Sequence, residues 1–252
     1  MKWLTTARDL KRRKARERNG LFVAEGVRTV EELARSSLVV EAVLLAERAA
    51  SDERAVAAAR DFEARGVPVT QLTDAEFDSA ADTEQPQGVL AIVRAPRRAL
   101  DMLAAADGLR LLVLDGIQDP GNVGVLVRTA AALGATALIA LPGTVDLWNA
   151  KVVRSAAGTH FRFPALDATT AALFAYLDRH GVALWGTDAR GTAVGDVAAP
   201  ARLALAVGNE GAGLSEALRA RCSTVVSLPM APDVESLNVA VATGIILYAL
   251  RP

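Results

Sequence analysis

The chain reads LRLLVLDGIQDPGNVGVLVRTAAALGATALIAL from residue 109 to residue 141, and this stretch decides the fold class. The continuous apolar run at 111–114 predicts a buried strand, which a polar turn with proline and glycine follows. A helix is predicted over 123–133 and a second apolar strand over 137–141. Strands that are apolar throughout are typical of a mostly parallel sheet covered on both faces, so the stretch predicts an α/β fold.

The same alternation continues to the end of the chain. Strands are predicted at 182–185, 203–207 and 225–228, and helices at 149–156, 169–180, 215–221 and 237–250. Residues 20–95 predict a separate α/β unit, with strands at 22–23, 39–45, 67–70 and 89–93 and helices at 27–36 and 52–65. We therefore divide the chain into a first domain at 1–95, a linker at 96–109 and a second domain at 110–252.

The charge of the chain is unevenly distributed. Residues 1–19 hold eight basic and two acidic side chains, a net charge of +6, in a protein whose formal net charge is −1. A basic arm on an otherwise acidic chain is typical of contact with a phosphate backbone, although a solvated terminus has the same composition. The arm therefore favours an RNA partner without requiring one.

Composition and cysteine content exclude several classes of protein. The longest apolar run, at 239–250, falls short of the roughly 20 residues that span a bilayer. No apolar segment follows the basic amino terminus, so we expect no secretory signal, and the single Cys222 cannot form an internal disulfide. No paired cysteines suggest a metal site. We expect a cytoplasmic protein with no membrane segment and no metal.

Three segments concentrate polar residues and glycines after predicted strands. In the first, at 114–134, Asn122 is predicted to cap the following helix, and Arg128 lies on an otherwise apolar stretch of that helix. A surface arginine on an amphipathic helix explains Arg128 as well as a functional role does. The turn lies beyond the carboxyl end of a parallel strand, where ligands bind in α/β proteins.

The second and third segments are weaker alone. The second, at 205–215, runs from a buried strand into a glycine-rich turn with one acid, Glu210, and has neither the dinucleotide fingerprint nor a Walker loop. In the third, at 226–240, Ser236 and Asn238 precede an apolar helix, where capping would explain one polar residue but not two.

Together, in this order, the three segments resemble the signature motifs of the SpoU (TrmH-type) RNA ribose methyltransferases of the SPOUT superfamily. The resemblance covers residues 110–252 and includes the segment KVVRSAAGTHFRF at 151–163. It implies a trefoil knot in a mostly parallel sheet, a homodimer through this domain and S-adenosylmethionine as cofactor. The implied catalytic residues are Arg128, Asn122, Glu210, Ser236 and Asn238, and the implied cofactor-binding residues are Thr187, Gly208, Leu228 and Leu237.

The resemblance extends more loosely to residues 1–95. The phrase FVAEG at 22–26, after a basic helix, is similar to a substrate-binding domain with a ribosomal-protein-like RNA-binding fold. The basic residues assigned to RNA are Lys11, Arg12, Arg16, Arg18 and Arg28. The extra domain favours ribosomal RNA (23S-like) by analogy, and transfer RNA is the alternative substrate.

The resemblance implies a chemical role for Arg128. Its cation would stabilise the alkoxide that develops when a ribose 2′-hydroxyl attacks, while the proton passes to a substrate phosphate, water or a perturbed arginine. Asn122 would position Arg128 or the RNA, and Glu210 would hold that network or the target nucleotide. His160 and His180 are interpreted as structural.

Two departures and two rival functions accompany this interpretation. Pro232 replaces a common glycine and Ala240 a common serine, which alters the loop and removes one hydrogen bond. A dinucleotide-dependent oxidoreductase would need the missing glycine fingerprint. A non-catalytic RNA-binding protein would keep the basic arm but would not need the polar residues of the three segments.

Overall fold

The computed structural model describes residues 1–234 and 236–251. Its helices are α1 (Lys2–Asp9), α2 (Arg13–Asn19), α3 (Val27–Ala34), α4 (Glu53–Ala64), α5 (Asp74–Ala80), α6 (Pro120–Ala132), α7 (Ala150–Ser155), α8 (Thr170–His180), α9 (Glu216–Arg221) and α10 (Val239–Ala249). Its strands are β1 (Leu21–Glu25), β2 (Val40–Ala46), β3 (Val69–Leu72), β4 (Val89–Arg94), β5 (Arg110–Asp115), β6 (Ala137–Ala140), β7 (Ala165–Asp167), β8 (Ala183–Ala193), β9 (Leu203–Gly208) and β10 (Thr224–Ser227).

The described chain forms two compact units. The first contains Met1–Arg97 together with Trp148–Arg162, and the second contains Arg98–Leu147 and the described residues from Phe163 onward. The segment with α7 thus packs in the first unit, although its sequence lies within 110–252. The division of function between 1–95 and 110–252 stays a prediction, because compactness does not test which residues carry out which task.

The sheet of the first unit has four strands in the order β1-β4-β2-β3. β4 pairs antiparallel with β1 and β2, and β2 pairs parallel with β3. Since side chains alternate between the faces of a strand, Val43 and Leu45 pack under α3, α4 and α7, whereas Leu44 packs under α1 and α5. Helices therefore cover both faces.

The sheet of the second unit has six strands, all parallel, in the order β10-β8-β9-β5-β6-β7. Val113 and Ala206 pack with α8 and α9 on one face, and Leu205 packs with α10 on the other. Leu100 and Leu109, in the predicted linker, are buried in the first of these clusters. The mostly parallel, doubly covered sheet predicted from the apolar strands is confirmed, and the trefoil knot stays a prediction.

β8, β7 and α5 differ from the sequence predictions. β8 runs on to Ala193 instead of ending near residue 185, because its polar second half pairs with β10 after a register shift. β7 has only three residues and was not predicted. α5 was also missed, although Thr73 and Glu76 form a capping box that the sequence displays.

Candidate active site

A cavity of about 210 Å³ opens beyond the carboxyl ends of β9 and β10 in the second unit. Its walls combine residues of β8, the loops after β9 and β10, and the start of α10. The lining residues are Thr187, Asp188, Ala189, Gly208, Asn209, Glu210, Gly213, Val226, Ser227, Leu228, Met230, Ser236, Leu237, Val239, Ala242 and Ile246. This is the edge of a parallel sheet at which α/β proteins bind small molecules.

The structure brings many of the predicted site residues to this one cavity. Its lining includes every residue assigned to the cofactor: Thr187, Gly208, Leu228 and Leu237. Glu210 and Ser236, which were assigned to catalysis, lie there as well. The Thr187 hydroxyl donates to the Ala206 carbonyl at 3.3 Å, which links β8 to β9 beside the cavity. The roles of these residues stay predictions.

The glycine-rich turn after β9 closes on itself. Asn209 and Gly213 exchange two backbone hydrogen bonds, of 3.0 and 2.8 Å, across the three residues between them. A Cβ at Gly208 would lie 2.2 Å from the Gly213 carbonyl carbon, so the backbone there requires glycine. Gly213 has a φ of +70°, the left-handed region that glycine adopts without strain.

Three predicted catalytic side chains form one hydrogen-bonded chain. The Asn238 Nδ2 group donates to Asn122 Oδ1 at 3.0 Å, and the Asn122 Nδ2 group donates to Glu210 Oε1 at 2.9 Å. Asn238 Oδ1 accepts from the Ala240 and Val241 N–H groups in the first turn of α10, and a carboxylate oxygen of Glu210 accepts from Asn122. Because both ends are fixed in this way, each amide has one possible orientation.

Asn122 does not cap α6, which corrects the sequence interpretation. The cap is Asp119, whose carboxylate accepts from the Asn122 backbone N–H at 2.8 Å, and Pro120 occupies the first helical position. A proline there costs no hydrogen bond, so the helix begins two residues earlier than Asn122. The Asn122 side chain is thereby available to bridge Glu210 and Asn238.

Asn238 is the N-cap of α10, so the capping explanation of this polar residue holds. Capping uses its oxygen, and the bond to Asn122 uses its nitrogen, so one side chain serves the helix and the polar chain together. Ala240 is buried two residues after this cap and donates its backbone N–H to it, whereas Pro232 is exposed in the preceding loop.

Arg128 lies on the exposed side of α6 and does not line the cavity of its own chain. Within residues 1–234 and 236–251 Arg128 has no hydrogen-bonded or ionic partner. Its neighbours Leu126, Val127 and Ala130 are buried, as their apolar character predicted. The catalytic role of Arg128 stays a prediction.

Sequence reasoning missed Asp188, a carboxylate in the cavity wall. It forms an ion pair with Arg219 of α9 and accepts the Arg190 backbone N–H at 2.9 Å. The hydrogen bond from Arg219 is the main reason that the pKa of Asp188 lies below its ordinary value. No sequence signal marked Asp188, because it lies in the part of β8 that was not predicted to be a strand.

The histidines lie away from the cavity. His160 is fully buried in the first unit and stacks on Trp148 with ring centroids 4.2 Å apart, and the His180 ring lies 4.5 Å from the Tyr176 ring. The described residues contain no group of three or more His, Cys, Asp or Glu side chains that could hold a metal ion. Among them there is also no helix long and apolar enough to cross a membrane.

The basic residues assigned to RNA divide into two groups in the first unit. Lys11, Arg12, Arg18 and Arg28 are exposed. Arg16 is only 7% exposed, and its guanidinium donates to the carbonyls of Leu10 and Lys11 at 2.7 and 3.0 Å. Arg16 therefore connects α1 to α2, a structural task that its position in a basic run did not reveal.

The structure defines an α/β protein with a cavity at the carboxyl edge of a parallel sheet. Comparison with known families is more specific. The model of the SpoU rRNA Methylase family matches residues 110–248, and that of the MRM3-like substrate binding domain matches residues 4–91. The chain belongs to the SpoU rRNA Methylase family.

Its relatives cover nearly the whole chain. The 23S rRNA (guanosine(2553)-2'-O)-methyltransferase RlmP of Bacillus subtilis is 34% identical over 240 residues, which are 95% of this chain and 92% of that protein. The 23S rRNA (guanosine-2'-O-)-methyltransferase RlmB of Shewanella oneidensis is 35% identical over 234 residues, which are 88% of this chain and 94% of that protein.

Solved structures agree over both units. The SpoU methyltransferase AviRb of Streptomyces viridochromogenes, in complex with AdoMet, matches with a TM-score of 0.87 and 30% identity, and the match covers 98% of this chain and 96% of that one. An AdoMet-bound rRNA methyltransferase of Sinorhizobium meliloti matches with a TM-score of 0.86 and 26% identity, over 98% of this chain and 93% of that one.

Proposed function

We propose that this protein is an S-adenosylmethionine-dependent methyltransferase that modifies a ribose 2′-hydroxyl of ribosomal RNA. The observation that carries the proposal is the chain from Asn238 through Asn122 to Glu210 at a cavity beyond the strand ends. Membership of the SpoU rRNA Methylase family and relatives named as 23S rRNA methyltransferases support it. We expect it to act in the cytoplasm, where its RNA substrate would be found.

The cavity lining fits the proposed cofactor. Leu228, Leu237 and Ile246 offer apolar walls for the faces of a purine, and the Thr187 hydroxyl and the turn at Gly208 offer polar groups for its edges and its ribose. S-adenosylmethionine supplies, when bound, a methyl group on a sulfonium with a good leaving group. The protein therefore has to orient and activate the nucleophile.

Arg128 is the group proposed to activate the 2′-hydroxyl. A permanent cation beside a developing alkoxide lowers the energy of the transition state, whereas an arginine is too basic to be an ordinary proton acceptor at pH 7. We therefore assign the proton to a substrate phosphate, water or an arginine whose pKa the bound RNA perturbs. Asn122 and Glu210 hold the polar chain against which the target nucleotide is placed.

The carboxyl-terminal unit is proposed to form a homodimer. α6 and α10 border a shallow groove of about 440 Å³ lined by Val125, Thr129, Leu133, Ala240, Val241, Gly244, Ile245 and Tyr248. Val241 and Tyr248 are more than half exposed there, and exposed apolar side chains grouped in this way favour a protein partner. A second copy seated on this groove would also lie beside Arg128, which directly precedes Thr129 on α6.

Methyl transfer in vitro tests the proposed function. The purified protein is mixed with methyl-labelled S-adenosylmethionine and with unmodified ribosomal RNA or transfer RNA, and 2′-O-methylated nucleosides are quantified. Label in ribosomal RNA supports the proposal. Label in transfer RNA alone would show that transfer RNA is the substrate instead. RNA binding without cofactor binding by calorimetry would show a non-catalytic RNA-binding protein.

A further inference from the structure

Asn209 lies between two features of the candidate site and was not among the predicted site residues. It directly follows the last residue of β9 and directly precedes Glu210 in the turn. It is half-buried in the cavity wall. Its side chain makes three hydrogen bonds, all to backbone atoms. The oxygen and the nitrogen of the side-chain amide bond to two different loops of the site.

The acceptor end of the Asn209 amide holds the turn. Its Oδ1 atom accepts from the N–H groups of Gly211 and Ala212, both at 3.0 Å. These N–H groups lie inside the loop that the backbone bonds between Asn209 and Gly213 close. The oxygen thus fixes the conformation of the residues directly after Glu210 and, with it, the backbone around Gly208.

The donor end of the amide reaches another loop. Its Nδ2 atom donates to the Gly116 carbonyl at 2.9 Å. Gly116 directly follows β5 and begins the loop that leads into α6, the helix with Asn122 and Arg128. Gly116 is itself held by Thr144, whose hydroxyl accepts its N–H at 3.2 Å. The nitrogen therefore ties the Glu210 turn to the loop that places α6.

We propose that Asn209 is a positioning residue, which keeps Glu210 in register with Asn122 and so sets the turnover of the methyl transfer. This inference rests on the proposed function. The Asn122–Glu210 bond joins an exposed turn to the first turn of a helix, and it needs both partners held to within a few tenths of an ångström. Asn209 holds both loops, one with each end of its side-chain amide.

The two ends can be separated by substitution. Asn209→Asp keeps the acceptors for Gly211 and Ala212 but replaces the donor to Gly116 with a carboxylate oxygen that cannot donate. Asn209→Ala removes all three bonds. A displacement of about 1 Å costs about a hundredfold in rate. We therefore expect Asn209→Asp to lower kcat on that scale with cofactor affinity nearly unchanged, and Asn209→Ala to weaken cofactor binding also.

The control is Thr169→Ala, which removes the N-cap of α8 in the same unit but outside the cavity. It should lower the melting temperature and leave kcat and cofactor affinity as in the wild type. Calorimetry with S-adenosylmethionine, steady-state methyl transfer and amide hydrogen exchange are measured on the full chain. Exchange at Gly211 and Ala212 should accelerate in Asn209→Ala and stay slow in Asn209→Asp.

The outcomes decide between the two claims. Three results would each overturn the positioning role. The first is a fall in kcat of less than about tenfold in a folded Asn209→Asp protein. The others are a fall in kcat in Thr169→Ala as large as that in Asn209→Asp, and a cofactor affinity of Asn209→Asp as weak as that of Asn209→Ala. A wild-type protein that neither binds the cofactor nor methylates RNA overturns the proposed function instead. Hydrogen exchange then still decides whether Asn209 holds the turn, and unchanged exchange in Asn209→Ala refutes it.

Discussion

At the scale of single residues, the candidate site depends on side chains with two tasks. Asn238 caps a helix with its oxygen and orients Asn122 with its nitrogen. Arg128 has no comparable structural contact among the described residues. The side of α6 that packs in the core is formed by its apolar neighbours and not by Arg128. A residue free of structural duty can be substituted without loss of fold, which makes Arg128 the sharpest test of the chemistry.

Arg128→Ala should reduce methyl transfer by about a hundredfold to a thousandfold, because one preorganised electrostatic group of the transition state is lost. Cofactor affinity should hardly change, since the interaction exists only as the alkoxide develops. Arg128→Lys should be nearly as inactive, because it lacks the planar fork. The measurement is single-turnover methyl transfer together with calorimetry.

The matched control for this prediction is Arg179→Ala, another exposed helical arginine of the second unit. It should transfer methyl groups at the wild-type rate. If Arg128→Ala, at an unchanged melting temperature, kept more than about a tenth of the activity, the electrostatic role would have to be abandoned.

Gly208→Ala should abolish cofactor binding. The new Cβ would lie 2.2 Å from the carbonyl carbon of Gly213, so the turn cannot keep its conformation. Gly195→Ala is the control, because its Cβ would meet no atom within 4 Å. Calorimetry with S-adenosylmethionine measures both, and tight binding by Gly208→Ala would place the cofactor elsewhere.

At the scale of secondary structure elements, the ion pair between β8 and α9 adds a pH dependence. The pKa of Asp188 is below its ordinary value, mainly because Arg219 donates a hydrogen bond to it. A carboxyl group with a depressed folded-state pKa contributes stability above its unfolded pKa, and that stability is lost as the pH falls through the folded pKa. The pair therefore stabilises the fold at neutral pH and not in acid.

Asp188→Asn should lower the free energy of unfolding by about 0.2–1 kcal/mol at pH 7, the usual range for ion pairs near a surface. The difference from the wild type should shrink as the acid midpoint of Asp188 is passed. Urea unfolding at several pH values measures it, with the exposed Asp196→Asn as control. A difference that stayed constant down to the lowest pH would disprove the electrostatic origin.

At the scale of the whole molecule, the groove between α6 and α10 leads to a prediction about assembly. Ile245→Glu places a charge on an apolar side chain that is 46% exposed and outside the core, so the protomer should fold and the dimer should dissociate. Met102→Glu changes an exposed apolar residue outside the groove and should leave the dimer intact. Light scattering at micromolar concentration compares the two, and a monomeric wild type would refute the dimer.

The basic arm leads to a prediction about RNA affinity. Replacing the exposed residues Lys11, Arg12 and Arg18 with alanine should weaken RNA binding and reduce its salt dependence. Each lost phosphate contact lowers the slope of log affinity against log salt by about 0.7 for single-stranded RNA. The charge-conserving exchange of lysine and arginine at the same positions is the control, and an unchanged slope in the alanine variant would remove the arm from the RNA interface.

Substitution is a better test of this arm than truncation. Val153 and Phe161 are buried in the core of the first unit, and Trp148 packs against it. Removing residues 1–95 would expose these three side chains and confound any loss of RNA binding with misfolding. Arg16 is unsuitable for a similar reason, since its guanidinium holds backbone carbonyls of the α1–α2 connection.

The amino-acid sequence by itself determined the class of fold, the three polar segments and the family. Apolar strands separated by segments of helix length suffice to predict the class of fold, because hydrophobic periodicity follows from local backbone geometry. Short or polar elements were not predicted from the sequence. β7 has only three residues, and the second half of β8 is held by pairing with β10 rather than by its own apolar pattern. Such elements depend on partners far away in the sequence.

Tertiary structure alone decided how each polar residue is used. Asn122 and Asp119 both suit a helix cap, and only the position of α6 against Glu210 and Asn238 shows that Asp119 caps while Asn122 bridges. Arg16 and Arg18 are equivalent in a basic run, and only packing buries the first. A side chain's chemistry is local, whereas its hydrogen-bond partners are brought to it by the fold, and for this reason sequence patterns located the site without assigning its contacts.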